Sequence, residues 1–331
     1  MADCSSVSAK SMHVPSLMLL LRFRRNRLAL AYHDQGEAEK ESAAMVARLI
    51  ALLVLLFCAG GAVAETRVTL ADGRSYLIAV PEGVKQPPLV VMLHGGGGNG
   101  AQSARSSGMT APALRRGFAI AYPDGSGRSR MKTWNAGHCC ARAALTRMDD
   151  VAFVLRVADD AARRFGTDRS NLFVAGMSNG GMLAERIAAE RPREVRAVAS
   201  VAGVLDLARI KPRGAVPVLH MHGTEDEMVP YAGGRGALGL TYAAAEDVLT
   251  AFLQAQRRGL TKTRKVIDQA RDGMQTEKFT YASSSGRPEV VFYRIVGGGH
   301  AWPGGSRGRS TTRDINAPHE IFAFFKAHLR K

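Results

Sequence analysis

Short apolar runs alternate with longer amphipathic segments along most of this chain. The runs are nearly unbroken by polar residues, which is typical of central strands buried on both faces. They occupy residues 89–93, 118–122, 172–175, 195–201, 216–221 and 290–296. Helical patterns with an apolar side lie between or after them, at residues 109–116, 149–165, 182–188, 242–257 and 318–329. This alternation predicts a mostly parallel sheet with helices on both faces.

A hairpin is predicted in front of this sheet. Residues 67–70 and 75–80 flank Asp72-Gly73, a dipeptide that favours a tight turn between antiparallel strands. A weaker strand pattern lies at 278–281. Neither an internal repeat nor a linker interrupts residues 65–331, so we interpret them as one α/β domain.

The first 64 residues differ from the rest of the chain. A short basic start at Met45 precedes an apolar run at 49–57, and Ala62-Val63-Ala64 is a small-residue cleavage site. The run is too short to span a bilayer. We therefore interpret residues 45–64 as a signal peptide and expect a secreted or periplasmic protein that makes no membrane contact after cleavage. Residues 1–44 do not fit in front of such a signal, and we interpret them as an over-extended reading frame or a disordered extension.

The chain is basic, with a formal net charge of +16. The excess consists mainly of scattered arginines, and no RNA- or DNA-binding motif is present. We expect a solvated surface, with a polyanion-binding surface as the alternative, and no nucleic-acid partner. Cys139 and Cys140 are the two cysteines that remain after signal cleavage. They could form a vicinal disulfide or a bridge to another chain, and with His138 they are too closely spaced for a zinc site.

One strand leads directly into a turn that suits a nucleophile. After residues 172–175 the sequence continues GMSNG, which matches G-x-S-x-G, and a helical pattern follows at once. Strand, sharp turn and helix are the context of a nucleophile elbow, in which Gly176 and Gly180 would leave room for a strained central residue. We predict Ser178 as the nucleophile, with a serine in an ordinary glycine-rich loop as the alternative.

Two later strands supply candidate partners for this serine. A nucleophilic serine needs a base and an acid that orients it, and in α/β-hydrolases the chain order is serine, acid, histidine. The 216–221 strand leads into Asp226, which we predict as the acid although Glu225 and Glu227 adjoin it. The last strand leads into a glycine-rich loop with His300, the predicted base. Each residue alone could be an ordinary polar residue at the start of a loop, but their order favours catalysis.

Another glycine-rich loop allows two interpretations. Gly95, Gly97 and Gly100 match the G-x-G-x-x-G pattern of dinucleotide-binding proteins. We expect no helix to begin at Gly100, and a nucleotide site would leave the order of serine, acid and histidine unexplained. We therefore predict no nicotinamide cofactor.

The interpretation that we favour is an oxyanion loop of the H-G-G-G type found in esterases. Glycines allow backbone N–H groups to approach an oxygen atom that becomes negative during acyl transfer. The predicted donors are the N–H groups of Gly95 and Gly96, together with that of Asn179.

These motifs together resemble those of the polyhydroxybutyrate depolymerase and feruloyl esterase family, a group of secreted α/β-hydrolases related to carbohydrate esterase family one. The resemblance covers nearly all of residues 75–329. It is carried by LHGGGGNG (93–100), TWNAGHCC (133–140), MDDVAF (148–153), GMSNGG (176–181), HGTEDEMVPY (222–231) and GGGHAWPGG (297–305). It implies an α/β-hydrolase fold, a triad of Ser178, Asp226 and His300, and neither metal nor cofactor.

The resemblance allows several substrates. His138 and Ala141 stand beside the cysteine pair where this family often has glycine, so the loop that we expect to border the acyl pocket departs from the family pattern. Trp134 and Trp302 are candidate walls for an aromatic or sugar group, with plain packing as the alternative, and His94 is a third candidate contact. The sequence ends at its closing helix, so we expect no polymer-docking domain. We favour feruloyl or acetyl esters of plant polysaccharide, or soluble hydroxyalkanoate oligomers.

Other functions are compatible with the same residues. A serine peptidase or an acyltransferase would use the same triad, and a secreted binding protein could retain it as a relic. We predict a secreted serine esterase that acts on a small ester or a soluble oligomer, and we make no prediction of its oligomeric state.

Overall fold

The computed structural model describes residues 65–127, 131–256, 259–305 and 310–330. The strands are β1 (Thr66–Thr69), β2 (Ser75–Ala79), β3 (Pro88–Leu93), β4 (Ala119–Pro123), β5 (Asp168–Met177), β6 (Ala197–Val201), β7 (Val218–Gly223), β8 (Gly234–Arg235), β9 (Thr241–Tyr242), β10 (Thr261–Ile267), β11 (Gln275–Ala282) and β12 (Pro288–Val296). The helices are α1 (Gly100–Ser106), α2 (Thr110–Arg115), α3 (Ala141–Leu145), α4 (Asp150–Phe165), α5 (Asn179–Glu190), α6 (Ala245–Ala255) and α7 (Ala317–Lys326). The N-terminal extension (1–44) and the signal peptide (45–64) lie outside the described residues, and both stay predictions.

Within the described residues, ten strands form one sheet in the order β1-β2-β4-β3-β5-β6-β7-β12-β11-β10. Neighbouring strands are parallel from β4 through the centre to β12. They are antiparallel at both ends of the sheet. The predicted parallel sheet with an antiparallel pair at its N-terminal end is therefore confirmed.

Helices cover both faces of this sheet. Side chains of α4, α5 and α6 pack with one face in one hydrophobic cluster, and those of α1, α2 and α7 pack with the other face in a second. Along β3, Val91 belongs to the first cluster whereas Val90 and Met92 belong to the second, as the alternation of a strand buried on both sides requires. No helix in the described ranges is both long enough and apolar enough to cross a lipid bilayer.

The ends of α4 follow from local sequence. The carboxylate of Asp149 accepts a hydrogen bond from the Ala152 N–H at 3.0 Å, which satisfies one of the free amides of the first turn. Val151 and Val154 recur at helical spacing and are buried against the sheet. The helix stops at Gly166, whose φ of +66° is easily adopted only by glycine. The Asp149 cap fixes the start of α4, which lies beside the site described below.

The sheet extends one strand further than the hydrophobic pattern predicts. β10 has the sequence TKTRKVI and is exposed along nearly its whole length, and it pairs with β11 in antiparallel orientation. An edge strand that faces water on both sides has no apolar alternation by which it could be recognised. Its lysines and arginine also discourage pairing with the edge of another chain.

The expectation that no helix begins at Gly100 is wrong. α1 starts there, and the Asn99 side chain accepts a hydrogen bond from the Gln102 N–H at 2.9 Å. A Cβ atom on Gly100 would lie 2.3 Å from the Tyr122 carbonyl oxygen, so only glycine lets the helix approach β4 this closely. The Gly100 N–H donates to the Asp124 carboxylate at 2.9 Å. Gly100, the third glycine of the pattern, therefore serves packing between helix and strand.

Candidate active site

The predicted nucleophile lies in a strained turn at the carboxyl end of β5. Ser178 has φ +54° and ψ −125°, a conformation that is rare for a residue with a Cβ atom. Its N–H donates to the Val201 carbonyl at 2.7 Å, and its carbonyl accepts from the Met182 N–H at 2.9 Å. Ser178 is half-buried, at the sharp turn between β5 and α5.

Two glycines allow this turn to form. A Cβ atom on Gly176 would lie 2.3 Å from the Gly180 carbonyl oxygen, and one on Gly180 would lie 2.4 Å from the Leu93 carbonyl oxygen. Both distances are far shorter than van der Waals contact, and both neighbours are backbone atoms that cannot rotate away. The close approach of β3, β5 and α5 therefore requires glycine at both positions.

Replacing Gly180 with alanine is expected to lower the free energy of unfolding by about 3 kcal/mol, because the added methyl group would force α5 away from β3. Urea denaturation followed by circular dichroism measures this loss. Gly96→Ala is the matched control, since a Cβ atom there would lie at an ordinary 3.6 Å from the Asn179 Cβ. We expect its effect to be below about 1 kcal/mol. Equal denaturation midpoints for Gly180→Ala and the wild-type protein would contradict the close packing.

Asp226 and His300 form a hydrogen-bonded pair at the same edge of the sheet. Asp226 Oδ2 lies 2.7 Å from His300 Nδ1. Asp226 Oδ1 accepts from the N–H groups of Met228 and Val229 at 2.9 and 2.8 Å. Because a carboxylate oxygen accepts, His300 Nδ1 carries the proton, and Nε2 has a lone pair that can take up another.

The structure distinguishes among the three neighbouring acids. Asp226 is buried against His300, whereas Glu225 and Glu227 are exposed. Burial raises the pKa of Asp226, but hydrogen bonds from His222 and His300 outweigh it and hold the pKa below its usual range. Asp226 is therefore ionised at neutral pH and can stabilise a positive charge on His300.

Backbone pairing sets the distance between acid and base. β7 and β12 are parallel neighbours up to Gly223 and Ile295. Beyond the strands, the Thr224 N–H donates to the Ile295 carbonyl at 2.9 Å, and the Glu225 N–H donates to the Gly298 carbonyl at 2.8 Å. The acid loop and the base loop are thus joined by their main chains before any side chain contributes.

The glycine-rich loop after β3 lies against the elbow. A Cβ atom on Gly95 would lie 3.6 Å from the Ser178 Cβ, and one on Gly96 would lie 3.6 Å from the Asn179 Cβ. Over the described part of the chain, the N–H groups of Gly95 and Gly96 donate no backbone hydrogen bond. The first-turn amide of α5, at Asn179, also lacks an intrahelical partner. Their role as donors to an oxyanion that develops beside Ser178 stays a prediction.

His94 supports this loop through both of its ring nitrogens, and it also lines the smaller of the two clefts described below, so its contact with a substrate stays a prediction. Its Nδ1–H donates to the Gly95 carbonyl at 2.7 Å, and its Nε2 accepts from the Gly125 N–H at 3.0 Å. Burial lowers the pKa of His94 to about 4, so the ring is neutral at pH 7, as these two bonds require.

Trp134 is fully buried, so the prediction that it forms a wall of the substrate cleft is wrong. Its Nε1–H donates to the His94 carbonyl at 2.9 Å. Its ring packs against those of His94 and Phe153, with centroids 4.7 and 6.4 Å apart. The alternative of plain packing therefore holds for this residue.

Trp302 is partly exposed between two clefts that adjoin the elbow. One cleft, of about 230 Å³, is lined by residues 95–98 and Met177. The other, of about 390 Å³, is lined by Met177, His300 and Arg105. Trp302 lines both. A substrate that reached Ser178 through either cleft would contact this ring.

The TWNAGHCC loop is bound to the elbow through its own backbone. The Asn179 side chain contacts Trp134 twice, with Oδ1 accepting from its N–H at 2.7 Å and Nδ2 donating to its carbonyl at 3.0 Å. Asp150 accepts from the Asn135 N–H at 2.7 Å, and Arg186 donates to the Asn135 carbonyl at 2.9 Å. The side chain of Asn179 thus has a second role, which the sequence pattern does not predict.

Asp150 is itself held by a buried ion pair. Its Oδ1 lies 2.7 Å from Arg74 Nη1. The guanidinium of Arg74 also lies over the Phe153 ring, 3.3 Å from its centroid. Burial raises the pKa of Asp150, and the charge of Arg74 opposes this shift. The MDDVAF motif therefore contributes an anchor for the TWNAGHCC loop.

The cysteine pair forms the end of this loop. Cys139 and Cys140 are joined as a vicinal disulfide, one of the two pairings that the sequence allows. Cys139 is buried, with its Sγ 3.8 Å from Asn179 Nδ2. His138 lies 3.6 Å from an Asp206 carboxylate oxygen and packs edge-on against the Tyr242 ring.

Sequence reasoning missed three buried polar residues behind Asp226. His220 alternates within a strand, which is typical of plain packing, yet both of its ring nitrogens contact polar groups, on Glu185 and His222. His222 in turn contacts Asp226. The available signal was the His-x-His spacing on β7, because residues two apart on a strand share a face.

Known proteins are similar to this chain over most of its described part. A family model described as esterase PHB depolymerase matches residues 74–228. NocK of Nocardia uniformis subsp. tsuyamanensis, whose name assigns it as an esterase, is 34% identical over 244 residues, which are 69% of this chain and 68% of that protein. Feruloyl esterase B of Piromyces equi is 28% identical over 260 residues, 74% of this chain and 46% of that protein. This chain thus spans about two thirds of the first relative and less than half of the second.

Two solved structures share the architecture. Acetyl xylan esterase from Aspergillus awamori superposes with a TM-score of 0.53 at 15% identity, covering 80% of this chain and 99% of that one. TT1662 from Thermus thermophilus superposes with a TM-score of 0.52 at 21% identity, covering 81% and 99%. At these identities the likeness concerns the fold, which is that of the α/β-hydrolases. Together with the sequence matches, it establishes that the chain belongs to the esterase PHB depolymerase family of ester hydrolases.

Proposed function

We propose that this protein is a secreted serine esterase that hydrolyses carboxylic esters through Ser178, Asp226 and His300. The observation that carries the proposal is the 2.7 Å contact between Asp226 and His300, at the edge of the sheet where Ser178 occupies the strained turn after β5. Membership of an esterase family supports the reaction class.

The first half of the reaction transfers the acyl group to the enzyme. His300 Nε2 takes the proton of Ser178 Oγ as that oxygen attacks the ester carbonyl carbon. The imidazolium that forms is stabilised by the negative charge of Asp226. The N–H groups of Gly95, Gly96 and Asn179 stabilise the oxyanion, and the loss of one such donor typically lowers kcat by about 10²–10³.

The second half releases the acid. The tetrahedral intermediate collapses, the bond to the alcohol oxygen breaks, and His300 Nε2–H protonates the leaving alcohol. A water molecule then attacks the acyl-enzyme while His300 accepts its proton. Collapse of the second intermediate returns that proton to Ser178 Oγ and frees the carboxylic acid.

The proposed substrates are feruloyl or acetyl esters of plant polysaccharide, or soluble hydroxyalkanoate oligomers. The names of the relatives support both classes, one as a feruloyl esterase and the family as a polyhydroxybutyrate depolymerase. The exposed face of Trp302 suits an aromatic or sugar group. Arg105, in the cleft with His300, would attract the terminal carboxylate of a hydroxyalkanoate oligomer.

Secretion is the part of the proposal that depends on the sequence alone. The apolar run at 49–57 and the Ala62-Val63-Ala64 site support a signal peptide.

A fluorophosphonate probe tests the proposal directly. We expect labelling at Ser178, located by mass spectrometry of the labelled peptide, together with hydrolysis of a short-chain nitrophenyl ester. Initial rates on methyl ferulate and on hydroxybutyrate trimer, with one enzyme preparation, then separate the two substrate classes. An unlabelled Ser178 would indicate a binding protein with a relic triad. Labelling together with faster transfer to an added alcohol or amine than to water would indicate an acyltransferase.

A further inference from the structure

A row of buried polar side chains extends from the acid into the core. Glu185 on α5 and His220 and His222 on β7 are each no more than 2% exposed, and we refer to these three as the buried polar row. Glu185 Oε1 lies 2.7 Å from His220 Nδ1, and His220 Nε2 lies 3.1 Å from His222 Nδ1. His222 Nε2 lies 2.8 Å from the Val229 carbonyl oxygen and 3.4 Å from Asp226 Oδ2. The row therefore connects the helix of the nucleophile with the acid.

The contacts determine where the protons of the row lie. A carbonyl oxygen only accepts, so His222 Nε2 carries a proton, and in a neutral ring its Nδ1 is an acceptor. His220 Nε2 must then donate to that Nδ1, which leaves His220 Nδ1 as an acceptor as well. The remaining partner, Glu185, must donate, so its carboxyl is protonated.

The burial of these groups favours the same assignment. Burial raises the pKa of Glu185 well above its usual range, and the Ser200 hydroxyl beside it opposes this shift only in part. Burial lowers the pKa of His220 to about 3. Burial also lowers the pKa of His222, although Asp226 opposes the change. The row as a whole is therefore uncharged at neutral pH.

We propose that Glu185, His220 and His222 are positioning residues for the Asp226–His300 pair, an inference that rests on the proposed function of that pair. The donor from His220 to His222 Nδ1 and the Val229 carbonyl together hold the proton of His222 on Nε2, where it faces the same Asp226 oxygen as His300 does. Because His222 approaches as a neutral donor, it orients the carboxylate without neutralising it. The full charge of Asp226 is thereby kept for the imidazolium that forms on His300 during acyl transfer.

A purely structural role would not require this chemistry. Apolar side chains of similar volume would fill the same space without the free-energy cost of burying a carboxyl and two imidazoles. In our proposal, the protein keeps these polar groups in spite of that cost because they orient the Asp226 carboxylate.

The test replaces the two members that do not touch the triad. In Glu185→Leu/His220→Phe, apolar groups fill the space and His222 Nδ1 loses its donor, so that only the Val229 carbonyl still holds the proton on Nε2. We expect kcat to fall about tenfold, the factor that corresponds to one hydrogen bond to a charged group, with KM unchanged. In Glu185→Gln, the amide N–H can donate to His220 Nδ1 in place of the carboxyl, and we expect kcat within about twofold of wild type.

A matched control is another buried histidine at the opposite edge of the sheet. His328 contacts the carbonyl oxygen of Pro288, the first residue of β12, at 2.7 Å. We expect His328→Phe to leave kcat unchanged even where it lowers the unfolding free energy. The rates of the double variant, Glu185→Gln and His328→Phe are normalised to active sites titrated with the fluorophosphonate probe, so that unfolded protein is not counted.

The outcomes separate this proposal from the one on which it rests. Hydrolysis that survives Ser178→Ala would refute the proposed function itself. If Ser178→Ala is inactive but the double variant keeps wild-type kcat, only the positioning proposal fails. Nitrogen-15 NMR of wild-type protein labelled at histidine tests the proposal without any variant, because it shows which ring nitrogens carry protons. Protons on Nε2 of both His220 and His222 are expected, and a proton on Nδ1 of His222 would overturn the proposal.

Discussion

Replacing Ser178 with alanine is expected to lower kcat for ester hydrolysis by about 10⁵- to 10⁶-fold, because no other group can form the acyl-enzyme. The fold should persist, since the backbone bonds of residue 178 to Val201 and Met182 do not involve its side chain. Stopped and continuous assays on a nitrophenyl ester measure the rate, and urea denaturation measures the stability.

Ser285→Ala is the control, because it makes the same change from serine to alanine at a position outside the site. Ser285 is exposed on the turn between β11 and β12, where its hydroxyl contacts only that of Ser283 at 3.0 Å among the described residues. We expect its kcat to equal that of the wild-type protein. Turnover by Ser178→Ala within about a hundredfold of wild type would refute the assignment of the nucleophile.

Asp226→Asn is expected to lower kcat by about 10⁴-fold while the fold and the position of residue 226 are kept. Two backbone N–H groups face Oδ1 of Asp226, so the amide oxygen of asparagine would take that place. The amide NH₂ would then face His300 Nδ1 and donate to it. His300 would be forced into the tautomer with its proton on Nε2, which cannot accept the proton of Ser178.

The neighbouring acids provide the control for this change. Glu225 and Glu227 are exposed, and neither contacts His300 in the described structure. We expect Glu225→Gln and Glu227→Gln to retain kcat within about twofold, with the same buffer and ester. A variant at either position that lost as much activity as Asp226→Asn would show that the acid is misassigned.

The chain order of the site could be read from the sequence because it depends on local patterns. Each candidate residue directly follows an apolar run, and parallel strands bring their carboxyl ends to one edge of a sheet. The structure accordingly brings Asp226 and His300 into contact at the predicted edge. The sequence could not show whether the acid is Asp226 or one of the exposed glutamates beside it. The direction in which each side chain of a loop points depends on the folded backbone, which has no local sequence pattern.

The errors concern residues whose role depends on which layer they face. Trp134 follows a polar segment and carries a large ring, features that are the same for a cleft wall and for a core residue. It is buried because Asn179 and Asp150 draw the TWNAGHCC loop onto the elbow, a long-range contact without a local pattern. The contact between Glu185 and His220 was missed for the same reason, since 35 residues separate a helix position from a strand position.

The attachment of the TWNAGHCC loop has a consequence for altering the enzyme. Its anchors are main-chain atoms of Trp134 and Asn135, held by Asn179 and Asp150 from outside the loop. The side chain of His138 takes no part in these anchors and lies against Asp206 instead. If the loop borders the acyl pocket, as the sequence predicts, substitutions at His138 would vary the substrate range while the backbone of Trp134 and Asn135, and with it the geometry of the elbow, is kept.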